Sequence, residues 1–342
     1  MDDKILYVNA TILGDNRWKI SWKFEENPLP SALHPAFSRK TKIFIILFVV
    51  VLVVFNLYVF MLAYPETFKL DGGGTLAKDF SAYYIGAWRL WHDPSGLYTR
   101  GIVNDGEAII YPHPQDYKHF PSFLLLVSPF QFFNYHEGLI AFDVFQFALL
   151  PLMALLLYHL LYRKGWVVVL AVTAIVLLPF PLPHWGLLAT YFWQWAEGQA
   201  KVFETFLFLL SFYFGLKGKP LASGLAFAFA AFDPRFGLLG LPLFLFYNKN
   251  SIVSSVKTAL AVIIISNMIL FYPPTGVGFL NMIFNRGLGT TLYAYAYIPL
   301  FTLAALILVN IKEIIPTFSA IYKRFRQKVS SLGLKGNQIK TA

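Results

Sequence analysis

Residues 43–64 read IFIILFVVVLVVFNLYVFMLAY. No residue in this run is charged, and at roughly 1.5 Å per helical residue its length covers a hydrocarbon core of about 30 Å. The run is therefore a transmembrane helix. Arg39-Lys40-Thr41-Lys42 stands directly before it, which places the N-terminus in the cytoplasm by the positive-inside rule.

The rest of the chain agrees. Of 342 residues, 57% are hydrophobic, 18% aromatic and only 13% charged. Soluble domains carry about 25% charged residues, so this is a polytopic membrane protein. Cysteine is absent, which excludes disulfides, thiol nucleophiles and Cys-ligated zinc. Further apolar segments lie at 120–134, 138–162, 165–183, 202–216, 220–232, 236–247, 258–272 and 298–315. The segment 120–134 is short and interrupted by Pro121 and Pro129, and reads as re-entrant or broken. Segments 220–232 and 236–247 meet at Asp233-Pro234-Arg235, where they form a kinked pair. The expectation is an all-α bundle with about eight crossings.

The loops sort by charge. Arg163-Lys164, Lys217-Gly218-Lys219, Lys249 to Lys257 and the tail from Lys323 to Lys328 all fall on the cytoplasmic side with residues 1–42. Most of the 28 Lys and Arg but only a third of the 18 acids lie there. The net charge of +10 is thus an orientation signal and an attraction for anionic membrane lipids, and no nucleic-acid partner is expected. The chain divides into a cytoplasmic segment 1–42, a membrane domain 43–316 and a basic cytoplasmic tail 317–342. Within the first segment, Gly14-Asp15-Asn16 precedes the alternating run Trp18 to Phe24, a β-hairpin pattern. Residues 65–119 form a large first outer loop.

Candidate chemistry collects on the outer side. Asp79 begins a run in which Phe80, Tyr84, Trp88 and Trp91 fall at helical spacing, which suits an interfacial helix. Asp79 reads either as that helix's N-cap or as a carboxylate held at the membrane boundary. His113 and His119 flank a proline-rich stretch and could meet a phosphate; two histidines without a carboxylate make a poor metal site, so no metal is expected. Trp193, Trp195, Gln199 and Lys201 open the 202–216 span, as an aromatic belt with a snorkelling lysine or as part of a site. Asp233 and Arg235 are ionisable groups between apolar runs, and such groups are functional candidates. They read as a local pair or as a phosphate-binding arginine. Asp143 and Glu204 sit within spans, each a partner for a basic residue such as Lys201. Arg286 lies in the outer loop 272–297.

Three stretches resemble one family. The first is Asp79-Phe80 with Tyr83-Tyr84, Trp88, Asp93-Pro94 and Leu97-Tyr98; the second runs from His119-Phe120-Pro121 to Ser128-Pro129. The third is Gly198-Gln199, a span, Lys217-Gly218-Lys219-Pro220, and the Asp233-Pro234 break. Together they resemble glycosyltransferase family 87, the lipid-linked-sugar-dependent membrane mannosyltransferases of GT-C type. The family often shows Lys-Pro at the break; here the cation has either moved to Arg235 or been lost.

The resemblance implies a GT-C-like helix bundle with short broken helices and interfacial helices in the first extracytoplasmic loop. It implies an inverting transfer of a hexose, often mannose, from a polyprenyl-phosphate donor to a glycolipid or glycan acceptor on the outer face of the cell membrane. Asp79 would be the general base. Arg235, Lys201 and Arg286, then His113 and His119, would hold the donor phosphate. Tyr83, Tyr84, Trp193, Trp195, Gln199 and Asp233 would contact sugar or lipid. No cofactor is implied, because a monophosphate donor does not demand a divalent ion. A transporter or lipid flippase built on broken helices, and a non-catalytic membrane subunit, are the alternatives.

Overall fold

The computed structural model describes residues 4–12, 18–26, 37–67, 77–98, 117, 119–178, 189–286 and 297–337. Chain contacts separate two units, Met1–Lys42 and Ile43–Ala342. In the first, β1 (Lys4–Ile12) pairs antiparallel with β2 (Trp18–Glu26). The register sets Lys4 opposite Glu26 and Ile12 opposite Trp18. The alternating run is thus a strand, and the Gly14-Asp15-Asn16 connection falls outside the described residues.

The helical part opens with α1 (Arg39–Thr67), which carries the uncharged run. Large side chains along it, such as Val51 and Met61, stay uncovered by protein, as befits a helix solvated by lipid. Its one central polar residue, Asn56, is buried and donates to the carbonyls of Leu52 (2.9 Å) and Leu177 (2.7 Å). Then come α2 (Lys78–His92), α3 (Pro121–Val127), α4 (Tyr135–Leu161), α5 (Trp166–Leu177) and α6 (Ala189–Ala196). The remainder are α7 (Lys201–Leu216), α8 (Pro220–Ala230), α9 (Pro234–Tyr247), α10 (Ile252–Ser266), α11 (Pro273–Arg286) and α12 (Tyr297–Asn337).

Among the described residues three helical stretches are long and apolar enough to cross a membrane: Arg39–Tyr64, Tyr135–Lys164 and Ile298–Lys323. The other apolar helices are shorter, so length and composition support three of the roughly eight crossings expected. Proline explains much of the segmentation. It occupies the first helical position of α3, α8, α9 and α11, where its missing N–H costs nothing. The expected break in 120–134 is there, with α3 giving way to a 3₁₀ turn at Ser128–Phe132. Two expectations are corrected. The outer stretch 272–297 was expected as loop, yet Pro273 and Pro274 start a helix instead of preventing one. The helix expected at 258–272 begins at Ile252 and ends at Ser266. α12 is one continuous helix from Tyr297 to Asn337.

In the bundle α7 packs on α4 and α8, α8 on α10, and α12 on α9, α5 and α7. Gly224 sets the closest approach: a Cβ there would stand 2.5 Å from the Ser255 carbonyl oxygen. Small residues allow such backbone proximity where no hydrophobic effect drives helices together. A buried polar knot fastens the same helices. Ser211 and Ser223 each donate to the other's carbonyl at 2.9 Å. Asn248 Nδ2 donates to Ser223 Oγ (2.8 Å), and Asn248 Oδ1 accepts from Ser255 Oγ (2.7 Å). Asn248→Ala strips both serines of a partner and is expected to cost about 1–2 kcal/mol. Lower thermal stability of the purified variant would show it; an unchanged melting temperature would mean the knot contributes nothing.

Candidate active site

The first turn of α2 needs partners for its N–H groups. The residue before it, Ala77, adopts a left-handed conformation (φ 47°) and offers no side-chain cap. Asp79 is therefore the second helical residue and not the N-cap, though an acid there still complements the helix dipole. The missing partner comes from far along the chain. The Asp79 and Phe80 amides both donate to the Glu197 carbonyl, at 3.1 and 3.2 Å. Glu197 belongs to the turn between α6 and α7. Gly198 makes that turn possible: its φ is +60°, and a Cβ would stand 2.6 Å from the Phe80 Cβ. The first resembling stretch thus docks on the residue directly before Gly198-Gln199 of the third.

Amide side chains brace the turn from below. Gln199 Nε2 donates to Glu197 Oε2 at 3.1 Å. Gln194 Nε2 donates to the Gln199 carbonyl and, at 3.3 Å, to Gln146 Oε1 of α4. Gln146 Oε1 also accepts the Phe203 amide at 3.3 Å. Leu139, about two turns before Gln146 on the same face of α4, meets Gly198.

Past the turn, Lys201 opens α7 and enters a buried ionic cluster. Its Nζ lies 2.9 Å from Glu204 Oε2 and 3.2 Å from Asp233 Oδ2. Asp233 is the N-cap of α9 and accepts the Arg235 amide at 3.2 Å. Arg235 also grips it through Nε to Oδ1 (2.8 Å) and Nη2 to Oδ2 (2.6 Å). His119 Nδ1 stands 3.9 Å from the same Oδ2. Pairing is what makes such charges tolerable away from water. Lys201 Nζ also lies 4.8 Å from the centre of the Phe236 ring, within cation–π range. The cluster has an open edge at Arg235, whose side chain is 20% exposed, against 1% for Asp233.

The loop before α3 delivers His119. The Phe120 amide donates to the Phe232 carbonyl at 3.0 Å. Tyr98 and Tyr117 hydroxyls donate to the carbonyls of His119 (3.0 Å) and Phe120 (2.6 Å). Tyr83, one turn after Asp79 on α2, packs edge-on to Phe123 and lies 5.8 Å from the His119 ring. Burial pushes the Tyr83 phenol well above its usual range, and the nearby Asp79 carboxylate adds to this. It stays protonated and joins the Asp79 helix to the ionic cluster.

The fold thus brings Asp79, Tyr83, Gln199, Lys201, Asp233, Arg235 and His119 into one connected region. Tyr83, Gln199 and Trp195 are enclosed in packing and present no open face. Trp195 sits edge-on to Phe60 and beside Phe147, in the core. Tyr84 is half-buried, with its hydroxyl donating to the Phe133 carbonyl (2.8 Å). His113 lies outside the described residues, as do the side chains of Trp193 and Arg286. Glu204 takes the lysine that Asp143 was also expected to reach. Asp143 is buried in α4, and its Oδ1 has no hydrogen-bond partner. Glu197 was missed, because its contribution is a main-chain carbonyl that no side-chain pattern advertises. Among the described residues, no three or more His, Cys, Asp or Glu side chains gather to hold a metal.

A family model, Glycosyltransferase family 87, matches residues 119–297. No curated protein and no solved structure matches the chain. The matched span takes in His119, the Glu197–Gln199 turn, Lys201, Asp233, Arg235 and Arg286; Asp79 lies before it and is joined to it by the fold. Covering more than half of the 342 residues, the match makes this membrane protein a member of glycosyltransferase family 87.

Proposed function

We propose that this glycosyltransferase moves a hexose, mannose in the first instance, from a polyprenyl-phosphate donor to a glycolipid or glycan acceptor. The reaction takes place on the extracytoplasmic face of the cell membrane, with both termini in the cytoplasm. One observation carries the reading: the turn that anchors Asp79 runs directly into Lys201. A carboxylate and the buried ionic cluster are thereby held across a single turn. Asp79 takes the proton of the acceptor hydroxyl as that oxygen attacks the sugar C1 from the face opposite the phosphate. The C1–O bond to phosphate breaks, the anomeric centre inverts, and the polyprenyl phosphate leaves. That anion needs charge stabilisation and not a strong acid. Arg235, at the open edge, meets it first, with Lys201 behind and Arg286 as a further candidate.

The test is donor choice. Protein in liposomes is offered labelled mannose on polyprenyl monophosphate, or on a nucleotide diphosphate, with a membrane lipid extract as acceptor. Transfer from the lipid donor alone, undiminished by EDTA, is the expected result. Transfer from the nucleotide donor, or a requirement for divalent metal, would overturn the assignment.

A further inference from the structure

We propose that the Asp233 carboxylate is a resident occupant of the anion site, and that a phosphate group entering the site displaces it. The inference rests on the donor reading above and concerns how that donor's phosphate is received.

The two oxygens of Asp233 have different neighbours. Oδ1 does what an N-cap requires, accepting the Arg235 amide at 3.2 Å and Arg235 Nε at 2.8 Å. Oδ2 has no part in the capping, yet basic side chains from three separate elements point at it. Lys201 Nζ of α7 lies 3.2 Å away, Arg235 Nη2 of α9 lies 2.6 Å away, and His119 Nδ1 of the loop before α3 lies 3.9 Å away. The α9 N-terminus stands behind them. Converging nitrogen donors at a helix N-terminus are how proteins hold an oxyanion. Lys201 already has a second counter-ion in Glu204, 2.9 Å from its Nζ, so neutralising the lysine does not require Asp233.

Charge makes the exchange feasible. Lys201 and Arg235 face Glu204 and Asp233, two cations against two carboxylates. A phosphodiester monoanion taking the place of Asp233 among these donors carries the same single charge, so the buried cations keep their compensation. The displaced carboxylate turns to the exposed edge at Arg235, where water takes over its solvation. The exposed edge at Arg235 supplies the way in. Asp233 lies in the short link between α8 and α9, outside either helix body, where its side chain can rotate aside.

The test reads binding and not transfer. Full-length wild type, Asp233→Asn and Glu204→Gln are titrated in nanodiscs with a short-chain prenyl-phosphate mannose and, separately, with inorganic phosphate. Both variants remove one negative charge from the cluster, but only the first removes the resident anion from among the donors that the phosphate would meet. Asp233→Asn is expected to bind the prenyl phosphate about tenfold more tightly than wild type, equivalent to about 1.4 kcal/mol. It should also gain more thermal stability from ligand, in line with linkage. Glu204→Gln should tighten binding by less than about threefold. Equal or weaker binding by folded Asp233→Asn, or equal tightening by Glu204→Gln, overturns the proposal. Should Asp233→Asn not fold, the infrared difference spectrum of wild type decides: ligand must shift a buried carboxylate band, and an unshifted spectrum refutes displacement. If wild type binds inorganic phosphate but not the prenyl phosphate, the donor reading fails, and the ratio of variant to wild type for inorganic phosphate still judges the site.

Discussion

Asp79→Asn is expected to lower sugar transfer by about 10²–10⁴-fold, the usual worth of a positioned general base. The loss should fall on kcat, with the KM for donor nearly unchanged. The substitution keeps size and shape, and the link that positions this residue is made by its backbone amide to the Glu197 carbonyl, which asparagine preserves. What disappears is the ability to accept a proton. Initial rates in liposomes at matched protein levels measure the effect, alongside a melting curve to show an intact fold. A variant with wild-type kcat would remove Asp79 from its role and leave the family assignment untouched. Absence of transfer by both proteins over a range of lipid-phosphate donors would favour the non-catalytic or transporter alternatives.

Gly198→Ala should be strongly disruptive, because backbone conformation and packing both oppose it. The residue sits at φ +60°, and an added Cβ meets the Phe80 Cβ at 2.6 Å and Leu139 Cδ1 at 2.9 Å. A left-handed alanine alone costs about 1–2 kcal/mol. Overpacking two enclosed neighbours adds about 1–3 kcal/mol. A total of about 3 kcal/mol is expected, with transfer lost as well, because Phe80 and Asp79 share the carbonyl that this turn presents. Gly218→Ala is the matched control. Its φ is +66°, but a Cβ there meets nothing within 4 Å, so only the conformational cost applies. Thermal or denaturant unfolding of the two variants separates backbone strain from steric clash. Equal destabilisation would refute the claim that the close approach of α2 sets the cost at Gly198.

Much of the architecture was legible because its causes are local. The uncharged run at 43–64 can satisfy its backbone in a bilayer only as a helix, and α1 contains it. Alternation of apolar and basic residues announced β2, and Asp233-Pro234 announced the end of one helix and the start of another. The stretch after residue 272 reads as loop, yet Pro273 suits the first position of a helix, where its missing N–H costs nothing. Crossing number was harder to read, because several apolar segments form helices shorter than a bilayer.

The site divides along the same line. Sequence by itself determined that Lys201, Asp233 and Arg235 are ionisable groups at the edges of apolar runs, where such groups are retained for a reason, and that Asp79 opens an interfacial helix. It also marked Gly198-Gln199 and the Asp79 helix as belonging together in a family pattern. Only the tertiary structure decided who meets whom. Lys201 could have served Asp143, Glu204 or a ligand, and it chose Glu204 and Asp233 because α4, α7 and the α8–α9 link pack so that those oxygens lie within 3.2 Å. Asp79 met a main-chain carbonyl more than a hundred positions away. Helical period and hydropathy act over a few residues, whereas charge pairing and backbone docking depend on distances that exist only once the helices are packed.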